Sequence, residues 1–411
     1  MAQVIERTAA LNSKGVDVGA PPRRWIWLAA WPVTAVFVLS NAATPLYALW
    51  QHDIGFGKGT LTVVFACYIA GLIGSLLVCG VLSDRIGRRR VLVPAILLAL
   101  LACGIFATAA SVPALLAARL LTGIAVGAAV SAGMAAVADV AGAERRRLAA
   151  LLASCAMVLG AGTGPLLAGV LSQELPGPTS VVFGVVAVLL LVALAVVWRM
   201  PLPPRGASAA GPLLRVPRVP RGNGRQLALG IAVFAPGITA TSFVLSLGPS
   251  LLTALLGGGS RILAGVVAFA MFLTATAVQF AVQRLSRRAI LLAGAASTVL
   301  AVAALVGAVR GHAVALLVAA ALLAGAGQGL GQLGGLSLLN ASVPAGSLAE
   351  ANAALNVGGY LLAGTLPVAA GFLSDAIGLT GGATVFGAAL ALLATLGGVL
   401  VAVKRDWVRA S

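Results

Sequence analysis

The sequence predicts an all-α, polytopic membrane protein with twelve transmembrane helices in two pseudo-symmetric six-helix bundles. The first supporting observation is composition, because the 411 residues are 60% hydrophobic and only 9% charged, whereas soluble domains carry about 25% charged residues. The second is the recurrence of apolar runs of about 20 residues, the length that crosses a ~30 Å hydrocarbon layer. The third is an internal repeat that relates the two halves of the chain.

The apolar runs form two groups of six. The first group predicts spans at 26–48, 61–82, 91–110, 114–138, 148–171 and 179–198. The second predicts spans at 227–252, 262–283, 290–309, 313–338, 350–373 and 381–403. The chain is therefore expected to divide into an N-terminal tail (1–24), a six-helix bundle (25–198), a linker (199–225), a second bundle (226–403) and a C-terminal tail (404–411).

The linker and the distribution of basic residues predict the orientation. The segment Arg199–Arg225 contains six prolines, six arginines and no acid, and proline breaks helices, so we expect it to be exposed. Of the 27 Lys and Arg residues, 23 lie on the side of the chain termini and three, Lys58, Arg261 and Arg310, lie on the other. The positive-inside rule places both termini in the cytoplasm. The excess of arginine over lysine is compatible with a bacterial gene and an inner membrane.

Other protein classes fit this sequence poorly. The formal net charge is +17, but the basic residues occupy short loops rather than one continuous face with stacking aromatics, which argues against nucleic acid. The four cysteines lie in apolar runs without metal-ligand spacing, and His52 and His312 are far apart. No disulfide, metal site or cofactor is predicted. A membrane enzyme or sensor is a remote alternative because no cluster of nucleophiles is found.

The repeat relates residues 202 positions apart. GTGPLLAGVLS at 162–172 aligns with GTLPVAAGFLS at 364–374. At the same offset, Gly123 and Gly127 align with Gly325 and Gly329. Single matches are common in such apolar segments, but several matches at one offset over two consecutive spans indicate a duplicated unit. In carriers of this design the substrate site lies between the halves, near the midplane.

The most informative motif is GVLSDRIGRRR at 80–90, between spans 2 and 3. It resembles the G-x-L-x-D-R-x-G-R-R signature in the loop between helices 2 and 3 of the major facilitator superfamily. The resemblance implies a solute carrier that works by alternating access, in which the aspartate and the first arginine form part of a latch. An anchor that follows the positive-inside rule is the alternative, but it would need only the arginines. The latch residues implied are Gly80, Asp84, Arg85, Gly87, Arg88 and Arg89.

The equivalent segment of the second half, Gln283–Arg288, keeps the arginines but has no aspartate. Any latch is therefore expected to be asymmetric.

Arg119, Gly123 and Gly127 form a second motif, in span 4. Arg119 is the only basic residue within an apolar run, and its insertion costs about 2.5–3.5 kcal/mol if the side chain is central. The spacing resembles the superfamily's R-x-x-x-G-x-x-x-G motif, whose arginine is implicated in proton or substrate handling. The alternative is that Arg119, close to the end of its span, extends its side chain to the membrane surface.

The third motif lies in span 5 and consists of Gly160, Gly164, Pro165 and Gly169. It resembles G-x-x-x-G-P-x-x-G-G, which the superfamily's proton-coupled exporters use preferentially. Ala168 departs from that pattern, where the family has glycine. Glycine permits close helix approach and proline weakens one backbone hydrogen bond, which suits a helix that bends or slides. Ordinary small-residue packing is the alternative.

Polar residues recur at helical spacing in spans 1, 10 and 11, and span 8 adds one amide. Spans 3, 6, 9 and 12 have none of the charged or amide residues and are expected at the periphery. Residues four apart share a helix face, and lipid satisfies no polar group. These residues either line a cavity or join helices. The candidate substrate-cavity residues are Asn41, Thr44, Arg119, Gln279, Gln328, Gln332, Asn352, Asn356 and Tyr360.

The function predicted from these observations is proton-coupled efflux of small amphipathic or hydrophobic compounds by a monomer that contacts only membrane lipid, substrate and protons. An importer or uniporter of a small metabolite is the alternative. No acid lies deep in a span, so the proton is carried by an acid near a span end, by the substrate, or not at all. The acids near span ends are Asp53, Asp139, Glu174, Glu350 and Asp375.

Overall fold

The computed structural model describes residues 22–202, 219–344 and 347–408. These residues contain twelve helices that are long and apolar enough to cross a membrane, and no strand. We number them α1 (Arg24–Ile54), α2 (Lys58–Ile86), α3 (Arg88–Ala107), α4 (Val112–Ala141), α5 (Leu148–Glu174), α6 (Pro178–Arg199), α7 (Gly224–Leu256), α8 (Arg261–Ala281), α9 (Arg287–Gly311), α10 (Val314–Ser342), α11 (Glu350–Ile377) and α12 (Leu379–Val403). The predicted fold class is confirmed.

The connections between consecutive helices lie alternately at two opposite faces of the protein. We call the face that carries the start of α1 and the end of α12 the terminal face, and the other the distal face. The turns at Gly55, Gly177 and Gly257 lie at the distal face, and each of these glycines has a positive φ. A positive φ is easily adopted by glycine, so it ends a helix and reverses the chain within a few residues.

Helix α1 continues beyond the predicted end at residue 48. A 3₁₀ turn at Thr44–Leu46 joins its two α-helical parts, Arg24–Ala42 and Tyr47–Ile54. Pro45 lies in this turn, and because proline has no backbone N–H, the α-helical hydrogen-bond pattern is interrupted there. The polar residues after position 50 ended the apolar run in the sequence, but they form the last turns of the helix.

The segment 80–90 is not a loop as predicted. Helix α2 continues to Ile86 and α3 starts at Arg88, so that only Gly87, with a φ of 98°, lies between them. The motif's arginines therefore stand at a helix end and a helix start, and their positions relative to the two helices are fixed.

Helix α4 contains five residues of π-helix, Ala129–Gly133, in its second half. A single π-helical turn inside an α-helix is uncommon and is found frequently at functional sites. It lies on the terminal-face side of Arg119, within the same helix.

The twelve helices pack as two bundles, α1–α6 and α7–α12. The peripheral helices α3, α6, α9 and α12 pack against helices of their own half, as expected. The halves meet mainly through two pairs, α2 with α11 and α5 with α8. Helices α1 and α7 are the most buried, because 78% of the residues in the most apolar stretch of each lie inside the protein. They therefore lie at the centre.

The predicted repeat appears as equivalent backbone contacts. A Cβ at Gly123 of α4 would overlap the carbonyl oxygen of Tyr68 in α2, and a Cβ at Gly325 of α10 would overlap that of Met271 in α8. Gly325 lies 202 residues after Gly123, and Met271 lies 203 residues after Tyr68. The two halves therefore share helix crossings that depend on glycine at the same place.

The chain segments outside the helices are described only in part. Residues 1–21 of the predicted N-terminal tail and 203–218 of the predicted linker lie outside the described residues. The C-terminal segment forms one more short helix, α13 (Arg405–Val408). Its Trp407 ring lies 5.5 Å from the guanidinium carbon of Arg225, at the start of α7. The domain boundaries remain predictions.

Candidate functional site

Arg119 is buried inside the first bundle. It lies seven residues after the start of α4, which at 1.5 Å per residue is about 10 Å from the distal face. Only 1% of its surface is exposed. The alternative that its side chain extends to the membrane surface is therefore wrong for this conformation.

The guanidinium of Arg119 is held by α1 and α2. Its Nη1 donates to the carbonyl oxygen of Ser40, at 2.7 Å. Its central carbon lies 4.7 Å from the ring centroid of Tyr68, 5.2 Å from that of Phe65 and 5.8 Å from that of Tyr47. A cation over aromatic faces at such distances is attracted by the ring quadrupoles.

Several polar atoms around this guanidinium have no hydrogen-bond partner. Nε and Nη2 of Arg119 are buried without one, as are the Tyr47 hydroxyl and Thr44 Oγ1 on α1. The ion pairs found among the described residues at His52–Asp53, Asp84–Arg88 and Asp139–Arg88 do not include Arg119, which has no carboxylate partner there. Buried polar groups of this kind are normally satisfied, which makes the site a candidate for an external ligand.

The two glycines of the motif place α2 against α4. They follow Arg119 at intervals of four, so all three residues lie on one face of α4. Gly123 faces Tyr68 and Leu72 backbone atoms, and Gly127 faces the Leu72 carbonyl and Ser75. Without side chains at these positions α2 approaches closely, which brings the Tyr68 ring over the guanidinium.

The aromatic neighbours of Arg119, which are Tyr47, Phe65 and Tyr68, were missed in the sequence. The chain has only three tyrosines. Tyr47 and Tyr68 contact Arg119, and Tyr360 lies in α11, which packs against α2. The scarcity of tyrosine, with all three in the spans of helices α1, α2 and α11, was the available signal.

The other candidate cavity residues do not form one cluster with Arg119. Gln279 donates to the Ala275 carbonyl of its own helix, and Asn356 donates to that of Asn352. Asn41 donates to Ser40 Oγ at 3.0 Å, next to the carbonyl that binds Arg119. Asn41 therefore lies beside the Arg119 site, whereas Gln279 and Asn356 hydrogen-bond to their own helices.

Gln328 and Gln332 of α10 lie deeper than Arg119, counted from the distal face. Gln328 is 14 residues from the start of α10, or about 21 Å at 1.5 Å per residue. Its Oε1 is buried without a partner, as is Oδ1 of Asn352. These atoms lie nearer the terminal face than Arg119 does, and they do not contact its guanidinium.

The small residues of α5 contact two helices. A Cβ at Gly160 or Gly164 would overlap the carbonyl oxygens of Thr34 or Val38 in α1. Gly169 packs on the backbone of Arg261, at the start of α8. Helix α5 therefore lies directly between the central helix of its own half and a helix of the other half.

The motif at the terminal face forms an ion-pair cluster around Arg88. Arg88 Nη1 pairs with Asp84 and donates to Ser83 Oγ at 2.7 Å, and its Nε donates to Asp139 of α4 at 3.0 Å. The resemblance implied a role for the first arginine, Arg85, whereas Asp84 pairs with Arg88, four residues further on at the start of α3. The contact joins α2, α3 and α4 of one half.

Arg89 extends this cluster to α6. Its Nε and Nη2 donate to the carbonyl oxygens of Val197 and Met200, at 3.2 and 2.7 Å. Since these carbonyls lie at the end of α6, they have no partner in their own helix, and a cation there is favourable.

At the distal face the two halves are joined by hydrogen bonds. The backbone N–H groups of Lys58 and Gly59, at the start of α2, donate to the two carboxylate oxygens of Asp375 in α11, at 2.8 Å each. The N–H of Ile262, at the start of α8, donates to Gln173 Oε1 of α5, at 3.1 Å. Asp375 and Gln173 are 202 residues apart, so the second contact is the pseudo-symmetric equivalent of the first.

A fourth hydrogen bond at this face joins α7 to α1. The Ser250 hydroxyl donates to Gln51 Oε1, at 2.8 Å. Together these contacts hold the distal ends of the two halves against each other.

Comparison with known proteins defines the class of protein. A family model described as the Major Facilitator Superfamily matches residues 26–272, which is more than half of the chain. The chain therefore belongs to this superfamily, whose members are transporters rather than enzymes and whose fold works by alternating access. It is a multi-pass membrane transporter.

One curated relative is the 3-(3-hydroxy-phenyl)propionate transporter of Escherichia coli (strain K12). It is 31% identical over 168 residues, which are 40% of this chain and 39% of that protein. The chain thus matches about two fifths of the relative's length.

Solved structures agree with the fold. The nucleoside transporter NupG superposes with a TM-score of 0.74 at 12% identity, covering 92% of this chain and 99% of that one. A bacterial homolog of the human lysosomal transporter Spinster, inward-facing and occupied, gives 0.75 at 15% identity, over 96% and 98%. The human organic anion transporter MFSD10 gives 0.62 at 20% identity, over 93% and 100%. These identities support the fold alone.

Proposed function

We propose that this protein is a secondary active exporter, which moves small amphipathic organic compounds across a bacterial inner membrane in exchange for protons. The observation that carries the proposal is the packing of α5. Its Gly160 and Gly164 lie on the backbone of α1, and its Gly169 lies on α8 of the other half. Surfaces without side chains permit two packed helices to shift past each other. The likeness of this segment to the exporter motif favours efflux.

The contacts at the distal face support a cycle of alternating access. Asp375 and Gln173 join the halves there, close to where α2 and α8 begin. With the basic residues concentrated at the terminal face, the positive-inside rule makes the distal face periplasmic. The conformation then represents the protein closed to the periplasm.

Proton coupling is proposed to act through Asp375. A carboxylate at a helix N-terminus is stabilised by the unpaired N–H groups and by the helix dipole. Protonation removes the charge and one acceptor site, which weakens the contact with Lys58 and Gly59 and favours opening of the distal face. Exposure of this acid to the periplasm would couple opening to protons from that side.

Transport into inverted and right-side-out vesicles tests the direction. Inverted vesicles with an acidic lumen should accumulate amphipathic compounds, and an uncoupler should abolish the accumulation. Gly164→Ala, whose Cβ would overlap the Val38 carbonyl, should lower this rate strongly. Gly184→Ala is the matched control, because nothing lies within 4 Å of its Cβ position.

The proposal of efflux fails if only right-side-out vesicles accumulate substrate under an inwardly directed proton gradient. That outcome would favour the second candidate, an importer or uniporter of a small metabolite. The unpartnered Arg119 and the relative, a transporter of an aromatic carboxylate by name, support this candidate.

A further inference from the structure

We propose that Arg119 binds the carboxylate of an organic monoanion whose aromatic or apolar body packs against Tyr68 and Tyr360. This inference rests on the proposed transport function and names the chemical class of one substrate. It is independent of the direction of transport, since the same site would serve a compound that leaves the cell or enters it.

Arg119 is a buried cation without a counter-charge in the part of the chain that the structure describes. Arg119 is 1% exposed and has no carboxylate partner among the described residues. A guanidinium remains protonated in proteins, so it stays a cation in this apolar interior. Aromatic faces and one carbonyl offset part of the lost hydration, but they carry no net negative charge. A bound anion would supply the missing counter-charge.

The guanidinium donors of Arg119 that have no partner lie side by side. Arg119 uses Nη1 to bind the Ser40 carbonyl, which leaves Nε and Nη2 without partners. These two nitrogens form one edge of the planar guanidinium, where two N–H bonds point in parallel. That edge matches the two oxygens of a carboxylate and forms a bidentate pair. A cation held only for packing would have no reason to leave this particular edge unpaired.

Aromatic rings surround the guanidinium of Arg119. The Tyr68, Phe65 and Tyr47 rings surround the guanidinium at 4.7–5.8 Å. The Tyr47 hydroxyl is buried without a partner and is a further donor for the ligand. Such a shell excludes water, strengthens the ion pair, and favours a ligand with an apolar or aromatic body over a small hydrated ion such as phosphate.

Ligand entry follows from the position of two half-buried rings. Tyr68 of α2 and Tyr360 of α11 lie on helices that pack against each other across the boundary between the halves, where a Cβ at Gly364, one turn after Tyr360, would lie 3.6 Å from Ile69. Because α2 and α11 are one of the two helix pairs that join the halves, their separation exposes the space beside Arg119. The site is closed in this conformation and opens when the halves move apart.

Binding to the purified full-length protein tests the inference. The probes are benzoate, phenylacetate and 3-phenylpropanoate, each compared with its uncharged amide of the same shape. At least one acid should raise the melting temperature of the wild-type protein, and its amide should not, because ligand binding to the folded state stabilises it. Equal shifts with acid and amide, or no shift with any acid, would overturn the inference. This comparison needs no variant.

Substitutions then locate the binding. Arg119→Lys keeps the charge but loses the bidentate edge, so we expect affinity for the acid to fall about tenfold or more. Arg119→Gln should abolish acid binding. Arg310→Gln is the matched control, because Arg310 is an exposed arginine at the end of α9 and should bind as the wild type does. Acid binding that persists in Arg119→Gln would contradict the assignment.

The two proposals fail separately. If an acid binds in an Arg119-dependent way but neither vesicle orientation transports any compound, the transport proposal fails and the site stands. If vesicles transport other amphipathic compounds but no acid binds, the site fails and the transport proposal stands.

Discussion

Arg119 is held by three kinds of contact that the sequence distributes over three helices. A carbonyl of α1 accepts one N–H, rings from α1 and α2 face the cation, and glycines of its own helix permit the approach of α2. Each contact is weak beside the cost of dehydrating a cation. The position of the side chain therefore depends on the close packing of α2 and α4.

Gly123→Ala tests that dependence. The new Cβ would overlap the Tyr68 carbonyl oxygen and crowd Leu72 N, so α2 must move away and carry the Tyr68 ring with it. We expect a loss of about 1–3 kcal/mol of stability, as for other overpacked sites, together with reduced transport. Gly104→Ala in α3, where nothing lies within 4 Å, is the control. A melting temperature unchanged from the wild type would argue against close packing at Gly123.

Asp84→Asn tests the cluster around Arg88. The substitution removes one charge of a partly exposed cluster that joins α2 to Asp139 of α4, so we expect little loss of stability. If the cluster biases the access equilibrium, the turnover rate should fall more than the substrate affinity. Asp53→Asn, whose carboxylate pairs only with exposed His52, is the control. An unchanged turnover rate with weaker binding would contradict the latch.

At the scale of helices, the start of each helix at the distal interface is capped by the other half. Asp375 caps α2 and its repeat equivalent, Gln173, caps α8. Free N–H groups at a helix start need acceptors, and placing those acceptors on the other half makes capping depend on closure. Only one of the two caps is an acid, and it accepts from two N–H groups, whereas Gln173 accepts from one.

Asp375→Ala should therefore open the distal face. The cap of α2 is lost, and the N–H groups of Lys58 and Gly59 hydrogen-bond to water instead. Spin labels at Leu175 and Gly258, in loops of different halves, should report a longer or broader distance in a variant lacking the four cysteines. Gln173→Ala loses a single, neutral hydrogen bond, and we expect a smaller change. If both variants leave the distance distribution as it was, these contacts do not hold the face closed.

For the whole molecule, the sequence was sufficient for the architecture. Bilayer thickness sets the span length, so twelve apolar runs predicted twelve helices. The 202-residue repeat aligned Gly123 with Gly325, and the structure places both glycines in equivalent close contacts with a neighbouring helix. Arg119 was singled out because it is the only basic residue within an apolar run, and its burial decides against the alternative of a side chain that extends to the membrane surface.

The contacts between distant residues were not predictable in the same way. Lys58 and Asp375 are 317 residues apart, and nothing local in either segment indicates the other. Tyr68 joins the site only because of how α2 crosses α4. Helix ends were also misjudged where polar residues continue a helix, as in α1 beyond residue 48. Hydrophobicity locates the membrane core, whereas capping and turn geometry set the ends.

The most direct test of the account is a pair of distances measured in the same protein. One pair of spin labels, at Leu175 and Gly258, reports the distal face, and a second, at exposed Arg90 and Arg284 in different halves, reports the terminal face. When a proton gradient and substrate drive the cycle in proteoliposomes, the distal distance should lengthen as the terminal distance shortens. Distances that change together, or do not change, would contradict alternating access by two rigid bundles.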